Sequence, residues 1–234
     1  MKEQRTEYGI GHEAHTRLWH RLSSAEKFQA MGTEVTVPRG TVIAKAGEEP
    51  DTCWFVLEGR IVAMEHTAPG TERYYNFNEE GTLLMEANAL LFQKSPVSFM
   101  AVTEARLIRI PAEKLRDAMD EDNELCREIM VSLAYKFLTA MDQVREGSQC
   151  DVNWKVCNLL LTFADRYGVP YDGKILIKEK ISQQVLAHLL GINRITMVRA
   201  VKELRELGLI DQVNGFYCIR DREKMKEYMT GCPD

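Results

Sequence analysis

Between Ile181 and Leu204 the chain carries a run of residues whose types and spacing suit the reading of DNA. Ser182 can cap a first helix that holds Gln183 and Gln184, Gly191 supplies a tight turn, and Asn193 can cap a second helix. Val185, Leu186, Leu189, Leu190, Ile192, Met197, Val201 and Leu204 supply apolar positions for a core, and Ala187 is small where two helices must cross closely. On the second helix Arg194, Ile195, Thr196, Arg199 and Lys202 fall on the first turns and one flank, where a helix laid in the major groove meets base edges and phosphates. Residues 174 to 205 hold seven Lys and Arg (Lys174, Lys178, Lys180, Arg194, Arg199, Lys202, Arg205) against Glu179 and Glu203. This local excess of cations suits phosphate binding. Just beyond, Gly208 to Ile219 reads as two short strands turning at Asn214-Gly215, a strong hairpin signal and the expected wing of a winged helix-turn-helix. The bland alternative is a helical subdomain with a basic, solvated face.

The charge of the whole chain is −5, but it is unevenly spread. Residues 150 to 234 hold 13 Lys and Arg against 11 Asp and Glu, so the acid is concentrated before them. The 234 residues are 45% hydrophobic and 28% charged, the balance of a folded chain with enough apolar material for a core. No run approaches a membrane span, and Met1-Lys2-Glu3-Gln4-Arg5 leads into polar residues rather than an apolar leader, so the cytoplasm is the expected location and no membrane partner is expected. The six cysteines are scattered (Cys53, Cys126, Cys150, Cys157, Cys218, Cys232), without close C-x-x-C pairs, and reduced, mostly buried thiols are the expectation.

Upstream, seven short β-branched and aromatic runs follow one another: Glu34 to Val37, Thr41 to Ala44, Cys53 to Leu57, Arg60 to His66, Glu72 to Phe77, Ser98 to Val102 and Arg106 to Ile110. Gly40, Gly47, Gly59, Gly70 and Gly81 punctuate them, which predicts a β-barrel or jelly roll. Pro111 then sits where a helix can begin. From Asp122 to Glu146 there is no Gly or Pro, and Cys126, Met130, Leu133, Phe137, Ala140 and Val144 recur at spacings of 4, 3, 4, 3, 4. That seam fits a parallel dimer helix, with Leu125, Ile129, Ala134 and Met141 widening the stripe so that a second surface packs on the barrel. A long helix packed only within its own subunit is the alternative, and Gly147-Ser148-Gln149 reads as a hinge. The predicted class is α+β: an N-terminal barrel over 1–121, a dimerisation helix and hinge over 122–147, and a C-terminal winged helix-turn-helix over 148–234.

In this order of parts the sequence resembles the Crp/Fnr family, the cyclic-AMP receptor protein and its relatives, over nearly the whole chain. The most specific stretch is Ile181 to Ile210, with Gly191, Arg199 and the closing Gly208-Leu209-Ile210; Gly47, Gly59 and Gly81 to Glu86 resemble the barrel's glycines and the start of its effector cassette. The resemblance implies a DNA-binding homodimer, more often an activator, with RNA polymerase as a further partner and an effector bound in the barrel. Two departures limit it. Where cyclic-nucleotide binders follow the cassette glutamate with Arg-Ser or Arg-Thr, this chain has Ser95-Pro96-Val97-Ser98, so the anion would lack its bidentate partner and the expected effector is not a cyclic nucleotide. The cysteine group of the iron–sulfur sensors is also missing, and a lone His66 as haem ligand is set below a structural role. Where the family has Arg, Glu and Arg, this chain has Arg194, Ile195 and Arg199, so Ile195 can pack on a thymine methyl but cannot accept from cytosine, and an A/T-rich half-site is expected.

A hydrophobic residue at that position is similar to the branch that regulates reductive dehalogenation, which senses halogenated aromatic acids or phenols. With that ligand class in mind, the candidate effector residues are Tyr74, Tyr75, Phe77, Glu86, Phe92, Tyr135 and Lys136, the last two able to meet a phenolate or carboxylate from the long helix. The alternative is that the aromatics are core and Lys136 is solvated. No catalytic residue, metal ligand or cofactor is expected: a cupin-type metalloenzyme needs several histidines in the barrel, which has only His66, while His12, His15 and His20 precede it and His188 follows. A regulatory module that binds a ligand and a protein but no DNA is the remaining rival.

Overall fold

In the computed structural model residues 21–68 and 71–230 are described; Gly70, Cys232 and His12, His15 and His20 lie outside them. The described residues divide into two compact units, one of 21–145 with 182–197 and one of 146–181 with 198–230.

The first unit opens on α1 (Ala25–Met31) and β1 (Thr33–Val37), β2 (Val42–Ala44), β3 (Thr52–Glu58), β4 (Ile61–Ala68) and β5 (Thr71–Asn78). There follow β6 (Leu83–Leu84), α2 (Glu86–Leu91), β7 (Ser98–Ala101), β8 (Ala105–Pro111), α3 (Ala112–Glu121) and α4 (Asn123–Gln149). The strands make two four-stranded antiparallel sheets, in the orders β1-β8-β3-β6 and β2-β7-β4-β5. All seven expected runs are strands, because alternation of apolar and polar residues lets each strand bury one face. Along β7, for example, Phe99 and Ala101 are buried while Ser98 and Met100 are half-buried, whereas β8 buries both faces, Leu107 on one and Ile108 and Ile110 on the other. One cluster built on Val56, Ile61, Leu84, Phe99 and Leu107 forms the barrel core. A second, with Phe28 stacked on Phe55 at 4.5 Å, joins β3 and β8 to α1, α3 and the start of α4. Gly59 turns β3 into β4 at φ +88°, and a Cβ there would lie 2.3 Å from the Glu104 carbonyl oxygen, so no other residue fits.

The long helix is present but faces its neighbours differently from the sequence pattern. Leu125 and Ile129 are buried in the second cluster, as expected, but Ala134 and Met141 point outward. Beyond Ile129 the barrel-facing positions are Ser132, Lys136, Thr139 and Gln143, and Gln143 donates to the Tyr75 carbonyl oxygen at 3.1 Å. The exposed apolar stripe is therefore Met130, Ala134, Phe137, Met141 and Val144, flanked by Val131 and Leu138. The outward seam keeps its 4, 3, 4, 3 spacing but runs through Ala134 and Met141, while Leu133 is half-buried and Ala140 stands exposed to one side. Gly147 lies within the helix, and the two compact units divide beside it, between Arg145 and Glu146. α4 runs through Gln149, and the buried Glu146 side chain accepts from Asn158 at 2.7 Å.

In the second unit Asp151 caps α5 (Val152–Tyr167) by accepting from the Trp154 amide at 2.7 Å. After it come β9 (Gly168–Tyr171) and β10 (Lys174–Ile177). The remaining elements along the chain are α6 (Gln183–Leu190) and α7 (Arg194–Glu206), of which α6 and the first turn of α7 belong to the first unit, then β11 (Ile210–Val213), β12 (Phe216–Ile219) and α8 (Arg222–Met229). The wing is a hairpin turned by Asn214 and Gly215, both at positive φ, within a sheet of order β11-β12-β10-β9. Arg222 of α8 pairs with Asp165 of α5 at 2.6 Å, and the Trp154 indole donates to the Met229 carbonyl at 3.0 Å.

One expectation about the cysteines is corrected: Cys150 is disulfide-bonded, whereas Cys53, Cys126, Cys157 and Cys218 are free. Scattered spacing in sequence does not report proximity in the fold. Burial pushes the Cys53 thiol up to about 12, with the Glu86 charge adding to the effect, and burial does the same to Cys157. Both pKa values are raised, so the stabilisation from keeping these thiols protonated holds at neutral pH and is lost as pH rises from near 9 towards 12. At pH 8 Cys53 and Cys157 are expected to resist alkylation in the folded protein and to react in denaturant, while Cys150 reacts only after reduction. Peptide mapping of the labelled protein checks each site.

Candidate nucleic-acid interface

The helix-turn-helix is built by short-range bonds. Ser182 accepts from the Val185 amide at 3.2 Å and starts α6. Gly191 ends it in the left-handed region at φ +64°, its N–H reaching the Ala187 and His188 carbonyls. Asn193 then accepts from the Thr196 amide at 2.8 Å and from the Thr196 hydroxyl at 3.0 Å, starting α7. Leu186, Ala187 and Leu189 are buried on α6, and Met197, Ala200, Val201 and Leu204 on α7.

At 100° per residue, burying Met197, Ala200, Val201 and Leu204 turns the opposite face of α7 outward. That face carries Ile195, Arg199 and Lys202, with Arg194 at the first position of the helix, and all four are exposed. Among the described residues Arg194 and Arg199 form no ion pair, while Lys202 is 3.7 Å from Glu206 with both side chains largely in solvent. Such an exposed pair is easily exchanged for phosphate. Ser182 and Gln184 are exposed, Gln183 is half-buried, and the Gln184 amide lies against the His188 ring. Lys180, one of the cations of the basic run, stands 5.5 Å from the ring centroid of Phe216 on the wing, a contact that the sequence pattern does not show. Val198, 41% exposed beside Ile195 at 65%, also escapes the sequence pattern, because an apolar residue inside an amphipathic run reads as core.

The candidate effector residues are only partly brought together. Glu86, 2% exposed at the start of α2, pairs with Lys136 of α4, whose ammonium also donates to the Leu83 carbonyl at 2.7 Å. Tyr75 is half-buried at the edge of the barrel core and donates to Glu65 at 2.6 Å. Tyr74 is buried, donates to Glu72 at 3.0 Å and meets the His188 ring edge-on at 4.8 Å. Burial, then the bond to Glu72, pushes its phenol up to about 12. Phe77 lies edge-on to Tyr74 under the Arg60 guanidinium, at 5.1 Å from it. Phe92 and Tyr135 are exposed, Phe92 with Arg116 4.6 Å from its ring. In place of the phosphate-holding arginine, Ser95 is buried and donates to the Val97 carbonyl at 2.7 Å, and Ser98 accepts from the Ala46 amide at 3.0 Å. Both hydroxyls are used within the barrel. Among the described residues no group of three His, Cys, Asp or Glu is placed to hold a metal ion, and no helix is long and apolar enough to cross a membrane.

Residues 34–122 match the cyclic nucleotide-binding domain family and residues 155–228 the Crp-like helix-turn-helix domain, together more than half of the chain. The chain is 25% identical over 177 residues to the global nitrogen regulator of Nostoc sp., covering 75% of this chain and 79% of that protein. It is 22% identical over 193 residues to the CRP-like cAMP-activated global transcriptional regulator of Mycobacterium tuberculosis, covering 82% and 85%. In fold it is similar to CprK complexed with OCPA, with a TM-score of 0.72 at 16% identity over 91% of this chain and 100% of that one.

The Glu86–Lys136 pair carries a direct test. Lys136→Ala leaves a buried carboxylate without its cation, for an expected loss of about 3 kcal/mol of stability in urea melts, whereas Glu86→Gln with Lys136→Met recovers most of it.

Proposed function

Since the chain belongs to the Crp/Fnr family of DNA-binding transcription regulators, we propose that it acts as a homodimer on a near-palindromic, A/T-rich site, as an activator gated by a small molecule other than a cyclic nucleotide. The observation that carries the DNA reading is the outward face of α7, where Arg194, Ile195, Arg199 and Lys202 stand exposed on a helix capped by Asn193. Ser182, Gln183, Gln184, Asn193 and Thr196 complete the contact set, with Arg199 on guanine or phosphate and Ile195 on a thymine methyl.

The stripe of Met130, Ala134, Phe137, Met141 and Val144 supports the dimer. A run of exposed apolar side chains along about four turns of one helix is unfavourable in water, and a second copy of the same helix covers it with like side chains. Two such chains place two recognition helices on one face of the duplex, so half-sites lie about one helical turn apart.

For the effector, the buried Glu86–Lys136 pair supports a ligand that presents an anion to Lys136, with Tyr74, Tyr75, Phe77, Phe92 and Tyr135 as the aromatic candidates. Serines bonded within the barrel, where an arginine would hold a cyclic phosphate, favour a ligand without one. Aromatic acids and phenols fit that chemistry, and the OCPA-bound CprK structure shares the fold. By binding at a contact between barrel and α4, the ligand shifts an equilibrium between head orientations, and RNA polymerase is the partner that reads the outcome.

Selection from a random DNA pool at fixed salt, with and without aromatic acids and phenols, is expected to enrich a palindromic A/T-rich motif; no enrichment under any condition would favour the module that binds no DNA. Arg199→Ala is expected to weaken binding to the enriched site about tenfold, in the range of one lost bidentate contact, as read by gel shift. Phe137→Glu places a charge in the apolar stripe and is expected to halve the mass seen by light scattering.

A further inference from the structure

Two of the exposed apolar side chains on α7 lie one turn apart, Ile195 at 65% exposure and Val198 at 41%. They stand among Arg194, Arg199 and Lys202, while the core is served by Met197, Ala200, Val201 and Leu204 on the opposite side. Neither serves the helix. Both are β-branched, which disfavours helix slightly, and an exposed position gives no packing in return. Thr196 between them has its hydroxyl bonded to Asn193, so it offers the groove no free donor from that bond. The outward surface of the first two turns is thus a small apolar patch ringed by cations.

We infer that Ile195 and Val198 together form a two-residue reader of 5-methyl groups, so that each half-site carries two neighbouring positions specified by the thymine methyl rather than by hydrogen bonds alone. This rests on the reading of α7 as the recognition helix. Three residues of helix advance about 4.5 Å, against about 3.4 Å per base along a strand, so the two side chains meet methyls one or two steps apart. The major-groove edge of thymine presents such a methyl, and cytosine does not unless it is methylated. Arg194 flanks the patch as a cation for the backbone, whatever the sequence beside it, and Arg199 flanks it with the guanine or phosphate contact proposed above.

The test uses the full chain and a duplex of the enriched sequence in which thymines are replaced one at a time by deoxyuridine, which removes the methyl and keeps the pairing. Affinity is read by fluorescence anisotropy at fixed salt. Two positions in each half-site are expected to weaken binding about fourfold each, the effect of one methyl left out of apolar contact. Ile195→Ala is expected to abolish the sensitivity at one of them and Val198→Ala at the other. Alanine is the better helix former, so α7 is kept; circular dichroism and an unchanged salt slope on random DNA confirm it. A Val198→Ala protein with the same deoxyuridine profile as the parent overturns the assignment of Val198, and a parent indifferent to every deoxyuridine overturns the methyl reader while leaving the DNA reading intact. Absence of any enriched sequence removes both, and is seen before a single thymine is changed.

Discussion

A carboxylate as buried as that of Glu86 needs a cation, and Lys136 supplies it from α4. Much of the first unit is arranged around that requirement. The lysine stem reaches the barrel only if the helix is rotated so that Ser132, Lys136, Thr139 and Gln143 face it, and the same rotation turns Met130, Phe137, Met141 and Val144 outward. One ion pair thereby links the barrel to the orientation of the exposed apolar face of α4. In a low-dielectric setting such a pair contributes little net stability over apolar packing, yet its loss leaves an uncompensated charge, which favours a role in fixing the helix's orientation.

The recognition element is organised by shorter-range forces. Ser182, Gly191 and Asn193 define where α6 and α7 start and turn through bonds spanning three or four residues, with little demand on the rest of the chain. The cations of α7 lie free of ion pairs among the described residues at Arg194 and Arg199, so association with a polyanion does not require an internal bridge to be broken there.

Features set by local rules are legible in the sequence. The strands follow from alternation and glycine punctuation, the caps of α6 and α7 from Ser182 and Asn193, and the wing from Asn214-Gly215. Features set by tertiary contact are not. Heptad spacing shows that α4 is amphipathic, but which stripe faces out depends on Lys136 reaching Glu86, fifty residues away, and so sequence alone puts Ala134 and Met141 on the wrong side. The low helix propensity of Gly147 is visible in sequence and lies beside the division between the two units, whereas the Glu146–Asn158 bond at the end of α4 is not legible there. β9 is hidden because Gly168-Val169-Pro170-Tyr171 has turn composition and becomes a strand only by pairing with β10. The disulfide of Cys150 depends on a meeting in space that spacing cannot show. At the candidate site the cations of α7 are readable, while the exposure of Val198 becomes visible only once its neighbours Met197 and Val201 are seen to be buried.

Two copies of this chain, joined along α4, are proposed to present two α7 helices to one face of a DNA duplex. Hydroxyl-radical footprinting on the enriched site measures this directly. Two protected patches related by a two-fold axis, about 10 base pairs apart from centre to centre, are predicted. A single protected patch, or protection spread evenly along the duplex, would contradict the proposal.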